Sequence, residues 1–179
     1  MFFSFKKTQN LIQWTNMKRI RKSTMNDLPE MLVIFDNARK YMASHGNPNQ
    51  WHDNWPSKEI LISDIELGQS YIVEDDEKGI LATFAYIVGI DRTYLKIDGA
   101  WITDRPYGTI HRLASSQRER DIFTYIISEI TKNKLNMRID THSKNKAMIR
   151  AILKNGFQYC GIISPVEGGL RNAYELVVD

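Results

Sequence analysis

The chain has 179 residues, of which 42% are hydrophobic and 25% are charged, and its formal net charge is only +3. This length can bury one sizeable core, so we expect a single domain. The small net charge argues against a nucleic-acid partner, and no apolar stretch approaches the ~20 residues of a membrane-spanning helix, so no membrane partner is expected.

The cysteine content and the first residues bear on location and boundaries. A single cysteine, Cys160, excludes an internal disulfide framework and favours a reducing compartment. Residues 1–16 lack the pattern of a secretory signal peptide, and Met17 begins a run typical of a domain start. We therefore predict a cytoplasmic protein with an appendage or misassigned start over residues 1–16 and one domain over residues 17–179.

Hydrophobic spacing predicts a strand and two helices in the first part of the chain. Residues 18–22 alternate apolar and charged side chains, as a strand does. Apolar residues recur at helical spacing over residues 28–42, and Gly46 and Pro48 end this helix. A second helix is predicted over residues 57–67, with Gly68 as its terminator.

The remaining elements alternate between strands and helices. Strands are predicted over residues 70–73, 80–88 and 107–115, because β-branched and aromatic residues dominate them. A helix over residues 121–133, a strand over 137–141 and a helix over 144–155 follow. Two last strands, over residues 157–163 and 170–177, complete the order.

The segment DTHSKNKAMIRAILKNGFQYCGII places Asn145 ahead of the Gly156-Phe157 strand entry. In this spacing it resembles the GNAT superfamily of N-acetyltransferases, and it is the more specific of two such segments. The other is IHRLASS, which resembles the central strand that ends at a splayed opening beside acetyl-CoA. The resemblance covers residues 17–179 and implies an α+β (α/β) fold with a mixed central sheet of about seven strands and four flanking helices.

The resemblance also implies a function and a set of binding residues. The implied reaction is transfer of an acetyl group from acetyl-CoA to the amine of a small molecule or peptide. The residues implied to bind acetyl-CoA are Leu113, Ala114, Ser115, Arg118, Arg120, Ile122, Phe123, Thr124, Asn145 and Met148. Taken singly, Leu113 and Met148 could equally be core residues, and Asn145 a helix cap.

The pyrophosphate loop departs from the family pattern. Asp121 and Phe123 occupy the positions where the family has glycines. A carboxylate repels phosphate, and a phenylalanine side chain denies the close approach that glycine permits. Arg118 and Arg120 could supply cations in compensation. The other interpretation of this loop is a solvated helix start capped by Asp121.

His111 is the candidate general base, because it lies on the strand that leads into the implied opening and imidazole titrates near neutrality. A structural histidine is the alternative. Ile152 occupies the position where many family members have a tyrosine acid, so Tyr159 is the candidate for that role. His142 and His111 lack a third ligand at suitable spacing, so we expect no metal.

The acceptor amine is expected against the first two helices and the loop before the central strand. Candidate residues there are Gln50, Trp51, Trp55, Trp101 and Asp140, although tryptophans also fill cores. A homodimer is possible, since dimers are common in the superfamily. Two alternatives to the acetyltransferase remain: a non-catalytic ligand-binding or regulatory protein of the same fold, and an enzyme that uses another acyl donor.

Overall fold

The computed structural model describes residues 18–48, 50–51, 54–165 and 169–179. The predicted appendage of residues 1–16 lies outside these ranges. The strands are β1 (Arg19–Lys22), β2 (Ser70–Asp75), β3 (Gly79–Val88), β4 (Asp98–Gly99), β5 (Tyr107–Ser115), β6 (Asn136–Thr141), β7 (Gln158–Ile163) and β8 (Arg171–Leu176). The helices are α1 (Leu28–Ser44), α2 (Lys58–Glu66), α3 (Ile122–Ile130) and α4 (Lys146–Lys154).

The described strands form one mixed sheet in the order β1-β2-β3-β5-β6-β8-β7-β4. The β5–β6 pair is parallel, and the other neighbouring pairs are antiparallel. The prediction of a mixed sheet with four helices is confirmed. The eighth strand is β4, whose two residues pair with β7 in a segment that the sequence predicts as a polar loop.

The helices cover both faces of the sheet. Ile72 and Val73 are adjacent on β2, so their side chains point to opposite faces, and they belong to different core clusters. Ile72 packs with Phe35 of α1 and Leu61 of α2. Val73 shares its cluster with apolar residues of α3 and α4. In the described part of the chain, no helix has the length and apolar character needed to cross a membrane.

Two local features separate β5 from β6. Their parallel pairing ends at Ile110↔Ile139, although β5 continues to Ser115. The β3–β5 register shifts opposite Arg112, which adopts a left-handed conformation with φ of 51°. The Arg112 guanidinium is fixed by Asp64 of α2 through two hydrogen bonds of 2.8 Å. This bulge and the lost pairing open a gap between the two central strands.

The two edges of the sheet are short. At the β1 edge, Arg19 contacts Glu74 at 2.7 Å and Arg21 contacts Asp27 at 2.8 Å. At the opposite edge, β4 meets β7 through the pair Gly99↔Gly161. Both glycines have positive φ, 133° and 142°, so their backbones approach more closely than residues with a Cβ could.

Replacing Gly161 with alanine is expected to detach β4 and lower the free energy of unfolding by about 2–3 kcal/mol. The added Cβ would clash with the carbonyl oxygen of Asp98 and lie 2.9 Å from Gly99 Cα. Gly89→Ala is the matched control, because Gly89 has φ of 113° but no atom within 4 Å of an added Cβ. Equal losses in urea unfolding of the two variants would contradict the close-approach argument.

Candidate active site

A cavity of about 1330 Å³ lies in the gap between β5 and β6. It extends from the start of α3 to the α1–α2 loop, and α4 forms a further wall. All but three of the predicted site residues line it. They are Gln50, Trp51, Trp55, His111, Leu113, Ala114, Ser115, Arg120, Ile122, Phe123, Thr124, Asp140, Asn145 and Met148.

One end of the cavity lies at the first turn of α3. Asp121 precedes this helix in a left-handed conformation, with φ of 55°, and its side chain does not cap the helix. The first amide groups of a helix have no partner within it, and they give the helix start a partial positive charge. Because residues 122–124 also line the cavity, this end is suited to an anionic group.

The middle of the cavity follows the unpaired side of β5. Residues 111–115 lie beyond the last β5–β6 pair, so this part of β5 is not paired with β6. On the opposite wall, Asn145 caps α4 by accepting a hydrogen bond from Met148 N at 3.1 Å. Its amide also donates to Gln50 Oε1 at 3.0 Å. The cap interpretation of Asn145 is therefore confirmed, and the same side chain joins two walls of the cavity.

His111 faces a carboxylate at the other end of the cavity. Its Nε2 lies 2.5 Å from Asp91 Oδ2. Burial opposes ionisation of Asp91, but hydrogen bonds from His111 and Thr93 outweigh it, so the pKa of Asp91 lies below its ordinary value. This ionised carboxylate orients the imidazole.

A second buried carboxylate lies near His111. Asp140 Oδ2 accepts a hydrogen bond of 2.8 Å from the Tyr94 hydroxyl, and Arg171 Nε lies 3.9 Å from Oδ1. Burial raises the pKa of Asp140, although His111, Tyr94 and Arg171 lower it in part. Burial likewise raises the pKa of Tyr94, so Tyr94 remains a hydrogen-bond donor. Trp51 and Trp55 complete this end of the cavity.

Comparison with known proteins finds relatives of this chain by structure and not by sequence search. No family model matches the sequence, and no characterised protein matches it in a sequence search. An acetyltransferase of the GNAT family from Streptococcus agalactiae is 28% identical with a TM-score of 0.81. The match covers 90% of this chain and 96% of that one. The chain belongs to the GNAT superfamily.

More distant GNAT structures agree in fold alone. A GNAT-family acetyltransferase from Listeria monocytogenes is 12% identical with a TM-score of 0.64, covering 89% of this chain and 94% of that one. A ribosomal-protein-S5-alanine acetyltransferase from Vibrio fischeri is 16% identical with a TM-score of 0.57, and the match covers 90% of this chain and 93% of that one.

The two departures from the GNAT loop pattern are accommodated in the structure. The Phe123 side chain is buried and its ring lies 6.2 Å from that of Phe157, so it packs in the core at the edge of the cavity. The Asp121 carboxylate is 2.6 Å from Lys154 Nζ, which lowers its pKa and provides a compensating charge. The Phe123 side chain is thus part of the core and the Asp121 charge has a partner in Lys154. That these two residues weaken phosphate binding stays a prediction.

Three predicted site residues lie outside this GNAT cavity. Tyr159 is 53% exposed and packs against Tyr174, a position that does not fit a proton donor. Arg118 contacts Glu30 at 2.7 Å and the carbonyl of Lys78 at 2.9 Å, so it anchors its loop. The Trp101 ring lies 4.1 Å from the Arg138 guanidinium, in a separate buried cluster.

Sequence reasoning missed the residues around His111. Asp91 and Tyr94 belong to one 3₁₀ turn and Arg171 begins β8, so only the fold brings them to His111 and Asp140. A local signal exists for Asp91, which caps a short 3₁₀ turn by accepting a hydrogen bond from Thr93 N at 2.8 Å. Within the described residues, no group of three or more His, Cys, Asp or Glu could hold a metal ion.

Proposed function

We propose that this protein transfers an acetyl group from acetyl-CoA to the amine of a small molecule or peptide. One observation carries the proposal: a single cavity joins the start of α3, the unpaired side of β5 and the His111–Asp91 pair. An anion-binding end, a strand backbone and a candidate base are the three parts that this reaction needs.

The donor would lie along α3 and β5. Arg120, Arg150 and Lys154 line the cavity near the helix start and would attract its phosphates. The backbone of residues 113–115 would bind its pantetheine arm, and Met148 would provide an apolar wall. When bound, acetyl-CoA supplies an activated acyl group, whose carbonyl carbon accepts a nucleophile while the sulfur leaves with the electron pair of the C–S bond.

The acceptor would lie beside His111. His111 would take the proton that the amine nitrogen loses as it forms its bond to carbon, and Asp91 would stabilise the resulting imidazolium. Trp51 and Trp55 would enclose the apolar part of the acceptor. The buried, unpaired Cys160 supports our proposal that the protein works in a reducing cytoplasm.

Asp121 favours one alternative. A carboxylate at the helix start, where the family pattern has glycine, weakens attraction for phosphate. A non-catalytic GNAT-fold protein that binds a different ligand in the same cavity would tolerate this residue. The affinity for acetyl-CoA separates the two functions.

Acetyl-CoA is expected to bind with micromolar affinity that falls as salt is raised, measured by calorimetry at low and moderate salt. Arg120→Gln should weaken binding by about tenfold, because one phosphate contact is lost. Lys132→Gln is the matched control, because Lys132 is an exposed cation outside the cavity, and the affinity of this variant should not change.

Two results would contradict the proposal. Absence of binding up to millimolar acetyl-CoA would remove the donor and leave the fold assignment standing. Equal losses for Arg120→Gln and Lys132→Gln would show that phosphate does not bind at the α3 start. Asp121→Gly should strengthen binding severalfold, because it removes the opposing charge and relieves a left-handed backbone.

A further inference from the structure

The last residue of β6, Thr141, carries a buried hydroxyl without a hydrogen-bond partner among the described residues. Thr141 is 1% exposed, and its Oγ1 has no hydrogen-bond partner among the described residues. It lies next to Asp140 at the point where β5 and β6 separate, and it lines the cavity. An unpartnered buried hydroxyl destabilises a protein unless a ligand provides the partner.

The strand geometry places Thr141 on the donor side of the gap. Side chains alternate between the two faces of β6. Ile139 packs in the core cluster of α3 and α4, and Thr141 shares its face. Asp140 points to the opposite face, where it meets Tyr94. Thr141 and Asp140 therefore flank the opening from its two sides.

Other groups near Thr141 are already engaged or apolar. The Asn145 side chain uses its oxygen for Met148 N and its amide for Gln50. Ile152 occupies the position where the resemblance implies a tyrosine that acts as a general acid, and it is fully buried in the core. Tyr159 lies outside the cavity. Among the described residues that line the cavity, Thr141 is the one whose buried polar side-chain atom has no hydrogen-bond partner.

We propose that the Thr141 hydroxyl donates a hydrogen bond to the thioester sulfur of the acyl donor and stabilises the charge that this sulfur gains as it leaves. The inference rests on the proposed function. As the new N–C bond forms, the C–S bond breaks and its electron pair remains on sulfur. The nitrogen's proton goes to His111, Thr141 keeps its own proton, and the thiolate is protonated by solvent.

The test compares three variants by calorimetry with coenzyme A and with acetyl-CoA. Thr141→Val removes the hydroxyl and keeps the shape, whereas Thr141→Ser keeps a hydroxyl. Thr109→Val is the matched control, because Thr109 Oγ1 is equally buried and unpartnered but lies outside the cavity. Both valine variants should melt at or above the temperature of the original chain, since each removes an unpartnered polar group.

At a pH near the pKa of a thiol, part of the coenzyme A carries a charged sulfur. Under these conditions Thr141→Val should weaken coenzyme A binding by about tenfold, because a hydrogen bond to this sulfur is lost. Its affinity for acetyl-CoA should change by less than about threefold, because a thioester sulfur is uncharged and a weak acceptor. Thr141→Ser and Thr109→Val should bind both ligands as the original chain does.

Three outcomes would overturn the inference, each for a different reason. If Thr141→Val binds coenzyme A as Thr109→Val does, the hydroxyl does not contact sulfur. If Thr141→Val loses affinity for both ligands equally, the substitution acts through shape. If the original chain binds neither ligand, the proposed function fails and this inference fails with it.

Discussion

Replacing His111 with asparagine should lower kcat for acetyl transfer by about 10²- to 10⁴-fold and leave the affinity for acetyl-CoA unchanged. The imidazole is held 2.5 Å from Asp91 at the acceptor end of the cavity, away from the residues proposed to hold the donor. Asparagine keeps a polar side chain of similar length but cannot accept the proton that the amine loses. The assay is release of coenzyme A from acetyl-CoA in the presence of a panel of primary amines.

Two further variants separate a base from a structural histidine. Asp91→Asn should reduce kcat by a smaller factor, about tenfold, because the imidazole remains but loses its charged partner. His142→Asn should have no effect, since His142 follows β6 and does not line the cavity. If His111→Asn keeps full activity while binding acetyl-CoA, solvent takes the proton and His111 has only a structural role.

Replacing Glu175 with alanine should lower the free energy of unfolding by about 3–5 kcal/mol, because it leaves a buried arginine without its countercharge. Glu175 is 0% exposed, lies 3.5 Å from Arg138 Nε and accepts a hydrogen bond from Ile102 N at 2.7 Å. The Arg138 guanidinium lies between the rings of Trp101 and Tyr107, at 4.1 and 3.9 Å. Thermal unfolding should show a decrease in Tm of roughly 10 °C.

The double variant Glu175→Leu with Arg138→Met should recover most of this loss, because both charges are then absent. Glu129→Ala is the surface control: its ion pair with Lys132 is exposed, and its removal should cost less than about 1 kcal/mol. A loss no greater than that of Glu129→Ala would show that water reaches Arg138 and replaces the carboxylate.

Most of the fold follows from local patterns in the sequence. The central strand β5 begins at Tyr107 and ends at Ser115, as its apolar and β-branched residues predict. α2 begins after Ser57, whose hydroxyl accepts a hydrogen bond from Ile60 N at 3.3 Å, one residue from the predicted start. β4 was not predictable, because two residues carry no periodicity and their pairing depends on a glycine 62 positions later in the printed sequence.

The candidate site likewise has one side that the sequence predicts and one side that it does not. Its donor side is continuous in sequence from β5 to α3, so a motif reveals it. Its acceptor side depends on contacts between distant segments, such as Asp91 with His111 and Tyr94 with Asp140. The Arg112–Asp64 pair that fixes the bulge joins residues separated by 48 positions. Spacing carries no information about such contacts, which only packing establishes.

The two edges of the sheet also limit how copies of this chain could associate. A second copy that added to β1 would meet a strand of only four residues, on which Arg19 and Arg21 already pair with Glu74 and Asp27. β4 offers only two residues for main-chain hydrogen bonds. Within the described part of the chain, neither edge favours a sheet continuous across two molecules. Among the described residues, the helix and loop surfaces then remain for contact between two copies, and such contact depends on side-chain complementarity.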